Sequence, residues 1–309
     1  MSKKLKATAA EIENAVKQCY STWGESYYED YYGPNAAYPP VHLPLITGIV
    51  DQVSPKRLLD AGCGPASMLR HLVRQGREIY GFDLTPEMIV EAQRVMGNQG
   101  VPKNRIWQGS IIARDAFNCP TEKAAPYDLV LSVGVLPHLQ DGDEMQVIQN
   151  LYDCLKPGGV TVVEARNELF SLFTLNRYTR DFFSKRLLQV QRLRDQSGAE
   201  LAGFETAISQ MEGMFRTDLP PIRKGKQGEP GYDEVVSRLH NPLVLGRQFA
   251  EAGFSRIRTL FYHYHCLPPM LSEKVPQLFR QQSLAMEADP ENWRGYFMAS
   301  AFVVVATRA

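Results

Sequence analysis

The chain has 309 residues, of which 44% are hydrophobic and 22% charged. Its 34 basic and 34 acidic residues cancel, which argues against a strongly electrostatic nucleic-acid or membrane-surface binder, because both need a concentrated basic field. Five scattered cysteines without a C-x-x-C pair read as reduced thiols in a cytoplasmic protein, and no apolar run reaches the length of a bilayer span. Glu11 and Glu13 follow the basic start Met1-Ser2-Lys3-Lys4 where an apolar region would stand, so no signal peptide is expected.

In chain order, residues 8–22 read as a helix. A tyrosine-rich stretch follows (Tyr27, Tyr28, Tyr31, Tyr32, Tyr38), and a second apolar helix covers roughly 43–53. From residue 57 short apolar runs alternate with helices. Strands are predicted at 57–60, 78–83, 105–109, 127–133 and 160–165, and helices at 66–75, 86–96 and 143–155. Such alternation implies right-handed βαβ crossovers and a parallel sheet covered on both faces. Residues 170–240 break the pattern with polar helical segments and a Pro/Gly-rich loop, Leu219 to Gly231. A helix at 243–252, a strand at 257–266, a further helix and a strand at 298–307 then complete the chain.

The strongest motif is Leu58-Leu59-Asp60-Ala61-Gly62-Cys63-Gly64-Pro65. An acidic residue closes a buried strand, and a glycine turn then lets the backbone come close to a ligand. Asp60 at that point suits a cation and repels a pyrophosphate. Gly62-x-Gly64 also opens a dinucleotide fingerprint, in which Ser67 would replace the third glycine. Asp83, about 20 residues on, ends the second strand, where a carboxylate accepts from ribose hydroxyls or caps the next helix. Leu155-Lys156-Pro157-Gly158-Gly159-Val160 reads as a helix end, a turn and a buried strand.

Together these motifs resemble those of the class I S-adenosylmethionine (SAM)-dependent methyltransferases, well over 57–165 and loosely over the last two strands. The resemblance implies an α/β, Rossmann-like fold with a seven-stranded, mostly parallel sheet flanked by helices. It would carry an N-terminal helical cap (1–54), a core (55–169 and 241–309) and a lid inserted between strands five and six (170–240). It implies SAM as cofactor, with S-adenosylhomocysteine (SAH) as product. Asp60, Gly62, Gly64, Asp83, Leu84, Met88, Ser110, Ile111, Val133, Gly134 and Tyr28 are its candidate cofactor contacts. Ser110 stands where the family often has an acid for the adenine amino group, so that contact departs from the pattern.

His138, Glu164 and His42 are the candidate bases, in that order. Arg166, Asn167, Arg177, Tyr178 and His240 are the candidate acceptor contacts, and their basic character points to an anionic acceptor. For each of them a structural or solvated role is the alternative. His263-x-His265-Cys266 has poor spacing for a closed site, and no metal is assigned. The function implied is methyl transfer to O, N or C of a small molecule, in a setting that resembles bacterial specialised or cell-envelope metabolism. A nicotinamide-dependent oxidoreductase, or an inactive SAM-binding scaffold or sensor, is the alternative. Neither a nucleic-acid nor a membrane partner is expected, and oligomeric state is open.

Overall fold

A computed structural model describes residues 8–21, 28, 29, 32, 39–215, 217 and 237–309. Tyr27, Tyr31, Tyr38 and the basic loop with Arg223, Lys224 and Lys226 lie outside them. Seven strands form one sheet in the order β3-β2-β1-β4-β5-β7-β6. They are β1 (Arg57–Ala61), β2 (Glu78–Asp83), β3 (Ile106–Gln108), β4 (Tyr127–Ser132), β5 (Leu155–Arg166), β6 (Phe254–Tyr264) and β7 (Ala299–Arg308). The pairs β1–β2, β1–β4, β2–β3 and β4–β5 are parallel, whereas β5–β7 is antiparallel. The helices are α1 (Ala9–Ser21), α2 (His42–Val53), α3 (Pro86–Gly97) and α4 (Glu144–Cys154), with Pro242–Glu251 and Pro276–Met286 further on.

The chain divides into two compact units. The first comprises residues up to Arg166, Arg223–Leu260 and Ala301–Ala309. Its core is the sheet: Leu58, Leu59, Val130, Leu131, Val162, Val163, Val303 and Val304 have no exposed surface. Continuous apolar runs of this kind are what strands covered on both faces require. The second unit is Asn167–Ile222 with Phe261–Ser300, so residues 261–300, expected in the core, share a unit with most of the predicted insertion. Its described helices include Arg177–Asp181, Val190–Gln196 and Leu201–Glu212.

One predicted element is absent. Residues 66–75 form no α-helix; a single 3-10 turn, Leu69–His71, replaces it. Ala66 takes a left-handed φ of 60°. The Arg70 guanidinium donates to the carbonyls of Ala66 (3.2 Å) and Pro65 (3.1 Å). Helix propensity at Ala66-Ser67-Met68-Leu69 yields to burial, for all four are enclosed and no amphipathic stripe remains. The Pro-Gly-Gly turn is as expected in substance. Pairing passes from Tyr127↔Leu155 to Leu129↔Val160, so residues 156–159 loop out, with Gly158 at φ 77°.

Sheet order reverses direction between β1 and β4. Open α/β sheets bind ligands outside the carboxyl ends of strands at such a point. Asp60, Asp83, Ser132 and Glu164 all stand near those ends.

Candidate active site

The glycine turn after β1 is held from behind. Gly62 N and Cys63 N both donate to Phe82 O, at 2.8 and 2.9 Å. Gly62 has φ 91°, and a Cβ there would lie 2.2 Å from Val135 Cγ2. The glycine is therefore demanded by the loop after β4, not only by a ligand. Gly64 has φ 51° and nothing within 4 Å of a notional Cβ, so its face is the open one.

Asp83 ends β2 and organises the turn. Its Oδ2 accepts from Gly64 N and its Oδ1 from Thr85 N, both at 2.9 Å. Thr85 precedes α3, which begins with Pro86 at its first turn, where the missing N–H costs nothing. Each Asp83 oxygen keeps lone-pair capacity for a diol. Burial raises the carboxyl above its usual range, and the two amides oppose the rise. Asp60 is 1% exposed, and its Oδ1 is buried without a hydrogen-bond partner. Burial, with the Asp83 charge adding to it, pushes its carboxyl up to about 7. An orphaned carboxylate oxygen of this kind is costly until a cation or donor arrives.

A pocket opens in front of these groups. Among the residues lining it are Gly62, Gly64, Asp83, Leu84, Met88, Ser110, Ile111, Val133, Gly134 and His138. The loop after β3 is fixed from α4: Asn150 Nδ2 donates to Ile111 O (3.1 Å) and Ile112 O (3.0 Å). The outcome is an apolar slot with the Asp83 carboxyl on one side and the buried Asp60 carboxyl behind the lining.

Residues 58–159 match the family described as "Methyltransferase domain". The ubiquinone biosynthesis O-methyltransferase of Xylella fastidiosa (strain M23) is 30% identical over 142 residues, 46% of this chain and 54% of that protein. Norajmaline N-methyltransferase of Rauvolfia serpentina is 32% identical over 110 residues, 35% of each chain. The chain thus spans 35% of the Rauvolfia protein, 54% of the Xylella protein and 63% of the ubiquinone biosynthesis O-methyltransferase of Actinobacillus pleuropneumoniae serotype 5b (strain L20). In fold, it resembles magnesium protoporphyrin IX methyltransferase of Synechocystis PCC 6803, solved with bound SAH, at TM-score 0.51 and 14% identity over 96% of this chain and all of that one. An S-adenosylmethionine-dependent methyltransferase of Clostridium acetobutylicum gives 0.52 and 10%, covering 94% of this chain and 99% of that one. The chain carries a methyltransferase domain over residues 58–159.

Within this methyltransferase domain ten of the predicted site positions meet at the pocket, and the others are placed elsewhere. Asp60 lies behind the lining. Its charge, with that of Glu164, reaches the Tyr32 phenol, which burial raises far above its usual range. Tyr28 is not at the pocket: its ring lies under the Arg70 guanidinium at 3.9 Å, and its hydroxyl is 3.2 Å from His71 Nε2. His138 lines the pocket, with Nε2 3.0 Å from the Tyr20 hydroxyl. His42 packs edge-on against Tyr32, with ring centroids 4.9 Å apart. Burial lowers the imidazole below its ordinary value, and Glu164 opposes that. Glu164 Oε2 is 3.8 Å from where a Gly134 Cβ would be, which puts this carboxylate beside the pocket floor.

The candidate acceptor contacts are not gathered. Arg166 Nη1 donates to Ser237 Oγ. Arg177 Nη2 donates to the Tyr178 hydroxyl at 3.0 Å, within the second unit. Asn167 is 1% exposed; its amide donates to the carbonyls of Gly295, Tyr296 and Ala299 at 2.8–3.1 Å and its Oδ1 accepts from Leu169 N. That set leaves the Asn167 amide no spare donor, so it is a structural clamp. His240 is 6% exposed and stands 3.5 Å from Glu144 Oε1, in a buried cluster with Arg238. The Arg238 and His240 contacts outweigh burial and hold Glu144 down at about 2.

Sequence reasoning missed four pocket residues of α1, namely Ile12, Glu13, Val16 and Tyr20, together with Gln140 and Asp143. The signal was present: Ile12, Val16, Cys19 and Tyr20 recur at helical spacing on one face. Periodicity shows that this face is covered, but not by what.

Proposed function

We propose that this chain transfers the methyl group of SAM to the oxygen or nitrogen of an uncharged small molecule. The observation that carries the reading is the pairing of Asp83, at the pocket with lone pairs to spare, with Asp60, buried and holding an unpartnered oxygen. Asp83 would hold the ribose, Leu84, Met88 and Ile111 would enclose the adenine, and Asp60 would favour the cationic methionine end. When bound, SAM supplies an electrophilic methyl group. The protein's task is then alignment and exclusion of water.

We assign the acceptor's proton to His42, which is not among the pocket-lining residues but shares the field of Glu164 beside Gly134. Burial lowers the imidazole's affinity for protons, which favours the neutral ring that a base requires. Glu164 stabilises the imidazolium as it forms and lies beside Gly134 on the pocket floor. His138, the first candidate from sequence, faces Tyr20 and serves to position α1. Asp60 and Glu164 are both carboxyl groups, which disfavours an anionic acceptor beside them and supports a neutral hydroxyl or amine. The named relatives are an O- and an N-methyltransferase, which supports oxygen or nitrogen as the receiving atom.

The test is calorimetry with SAH, followed by methyl transfer from labelled SAM to a panel of phenols and amines. His42→Ala and Glu164→Gln should lower kcat by about 10²–10⁴-fold while leaving SAH affinity unchanged. Absence of SAH binding would refute the cofactor reading. Full turnover in His42→Ala would refute the assigned base.

A further inference from the structure

The loop after β4 brings Val133, Gly134, His138, Leu139, Gln140 and Asp143 to the pocket. Its own hydrogen bonds are isolated turns. His138 N donates to Val135 O at 2.9 Å, Leu139 N to Leu136 O at 3.2 Å and Asp143 N to Gln140 O at 3.2 Å. Two glycines with left-handed φ, Gly134 at 77° and Gly142 at 102°, flank residues 135–141. A segment built this way needs an anchor from outside to keep one conformation.

The anchor comes from Arg238, 94 to 98 positions further along the chain. Its backbone N donates to Pro137 O at 2.8 Å. Its guanidinium spreads over the following turn: Nη1 donates to Gln140 O at 3.1 Å and to Glu144 Oε1, and Nη2 to Asp141 Oδ1 at 2.8 Å. Glu144 completes the clasp from the other side, for its Oε2 accepts from Gly142 N at 3.0 Å. Arg238 is in turn held by its neighbours. Arg166, at the end of β5, donates to Ser237 Oγ through Nη1 and accepts from His240 N at 2.8 Å through its carbonyl. Asn241 Oδ1 then caps the helix Pro242–Glu251, accepting from Leu243 N and Val244 N. Strands β4 and β5 are neighbours in the sheet, and all these groups belong to the first unit. Residues 237–241 therefore form a strap across the carboxyl ends of β4 and β5.

We infer that Arg238 is a positioning residue of the methyl-transfer site: it does not line the pocket, and it fixes the loop that forms part of the pocket wall. The contacts call for a planar fork, because two nitrogens must serve a carbonyl and two carboxylates at once. A lysine brings one point charge on a flexible stem and cannot span them. The inference rests on the SAM reading above for its ligand measurement and stands apart from it for its measurement of loop order.

The experiment compares Arg238→Lys and Arg238→Ala/Glu144→Gln with the wild type, by calorimetry with SAH, thermal melts and ligand-free hydrogen exchange. Arg238→Ala alone would strand the buried Glu144 carboxylate and endanger the fold, so the double variant removes that charge as well. In it SAH affinity should fall by about 10–100-fold, the range for losing hydrogen bonds to a charged group. The amides of His138, Leu139 and Asp143 should exchange faster by a similar factor, while β1 and β2 keep wild-type protection. Arg238→Lys should melt near the wild type yet bind SAH about tenfold more weakly, since charge returns without the fork. Arg57→Gln is the control. It breaks the 2.8 Å pair with Glu78 at the opposite, amino end of β1 and should lower Tm with SAH affinity unchanged.

Wild-type SAH affinity in the double variant, or wild-type exchange at those three amides, would overturn the inference. So would protection lost evenly over the loop, β1 and β2, or an equal fall in affinity in Arg57→Gln, since either marks a general loss of stability. An Arg238→Lys variant that binds SAH as tightly as the wild type would overturn the need for a fork. A wild type that binds no SAH would bring down the methyl-donor reading instead, and loop exchange would then decide the role of Arg238.

Discussion

Replacing Asp60 by Asn separates two consequences of one buried carboxylate. In the folded protein the group titrates at about 7 against an ordinary 3.8, because burial and the Asp83 charge both disfavour ionisation. Between those values the native state holds a proton that the unfolded chain has lost. Unfolding therefore releases a proton, and the stability contributed by this group falls as pH rises from about 4 to 7, then levels. The difference of roughly 3 pH units corresponds to about 4 kcal/mol at about 1.4 kcal/mol each. Asp60→Asn cannot ionise. At pH 8 the ligand-free variant should be more stable than the wild type by up to about 4 kcal/mol, or on the order of 10 °C in Tm. At pH 4 the two should nearly coincide. The same substitution should weaken SAM, whose cationic end no longer meets a negative charge, by about 10–100-fold. Thermal melts from pH 4 to 8.5 with and without SAM read both effects. A ligand-free variant that tracks the wild type at every pH, or one that binds SAM undiminished, would refute the reasoning.

Further outcomes follow from the turn and from the second unit. Gly62→Ala places a methyl 2.2 Å from Val135 Cγ2 at a φ of 91°, and should cost about 3 kcal/mol or more and abolish SAH binding. Gly64→Ala meets nothing within 4 Å and should cost only about 1–2 kcal/mol; urea melts showing the reverse order would contradict the packing described. Asn167→Ala leaves the carbonyls of Gly295, Tyr296 and Ala299 without their donor, an expected loss of about 2–4 kcal/mol. Hydrogen exchange should quicken across 293–300; protection equal to wild type there would show that the clamp is idle.

Much of the domain was legible in the sequence because the relevant information is local. Alternating apolar runs and helices gave the strands of the sheet, and Gly62, Gly64 and Asp83 marked the edge at which the pocket opens. The turn's role was only partly legible: Gly62 is demanded by Val135, far away in sequence, as well as by any ligand. Asn167 looked like an acceptor contact because a polar residue at a strand end is ambiguous until its partners are known. Residues 66–75 looked helical because propensity sees neighbours a few positions away, whereas burial on every side and the reach of Arg70 decided the backbone.

By itself, then, the order of residues determined which segments become strands, where the chain turns and which acidic groups finish the first two strands, since periodicity and turn chemistry act over a handful of positions. Tertiary structure alone decided that Glu13 meets Ser110, that His42 shares the field of Glu164, and that Asn167 closes on residues near 296. Those pairings join positions 97 to 129 apart, and which groups come to face each other over such spans is fixed by how the layers pack, a property no short window of sequence contains.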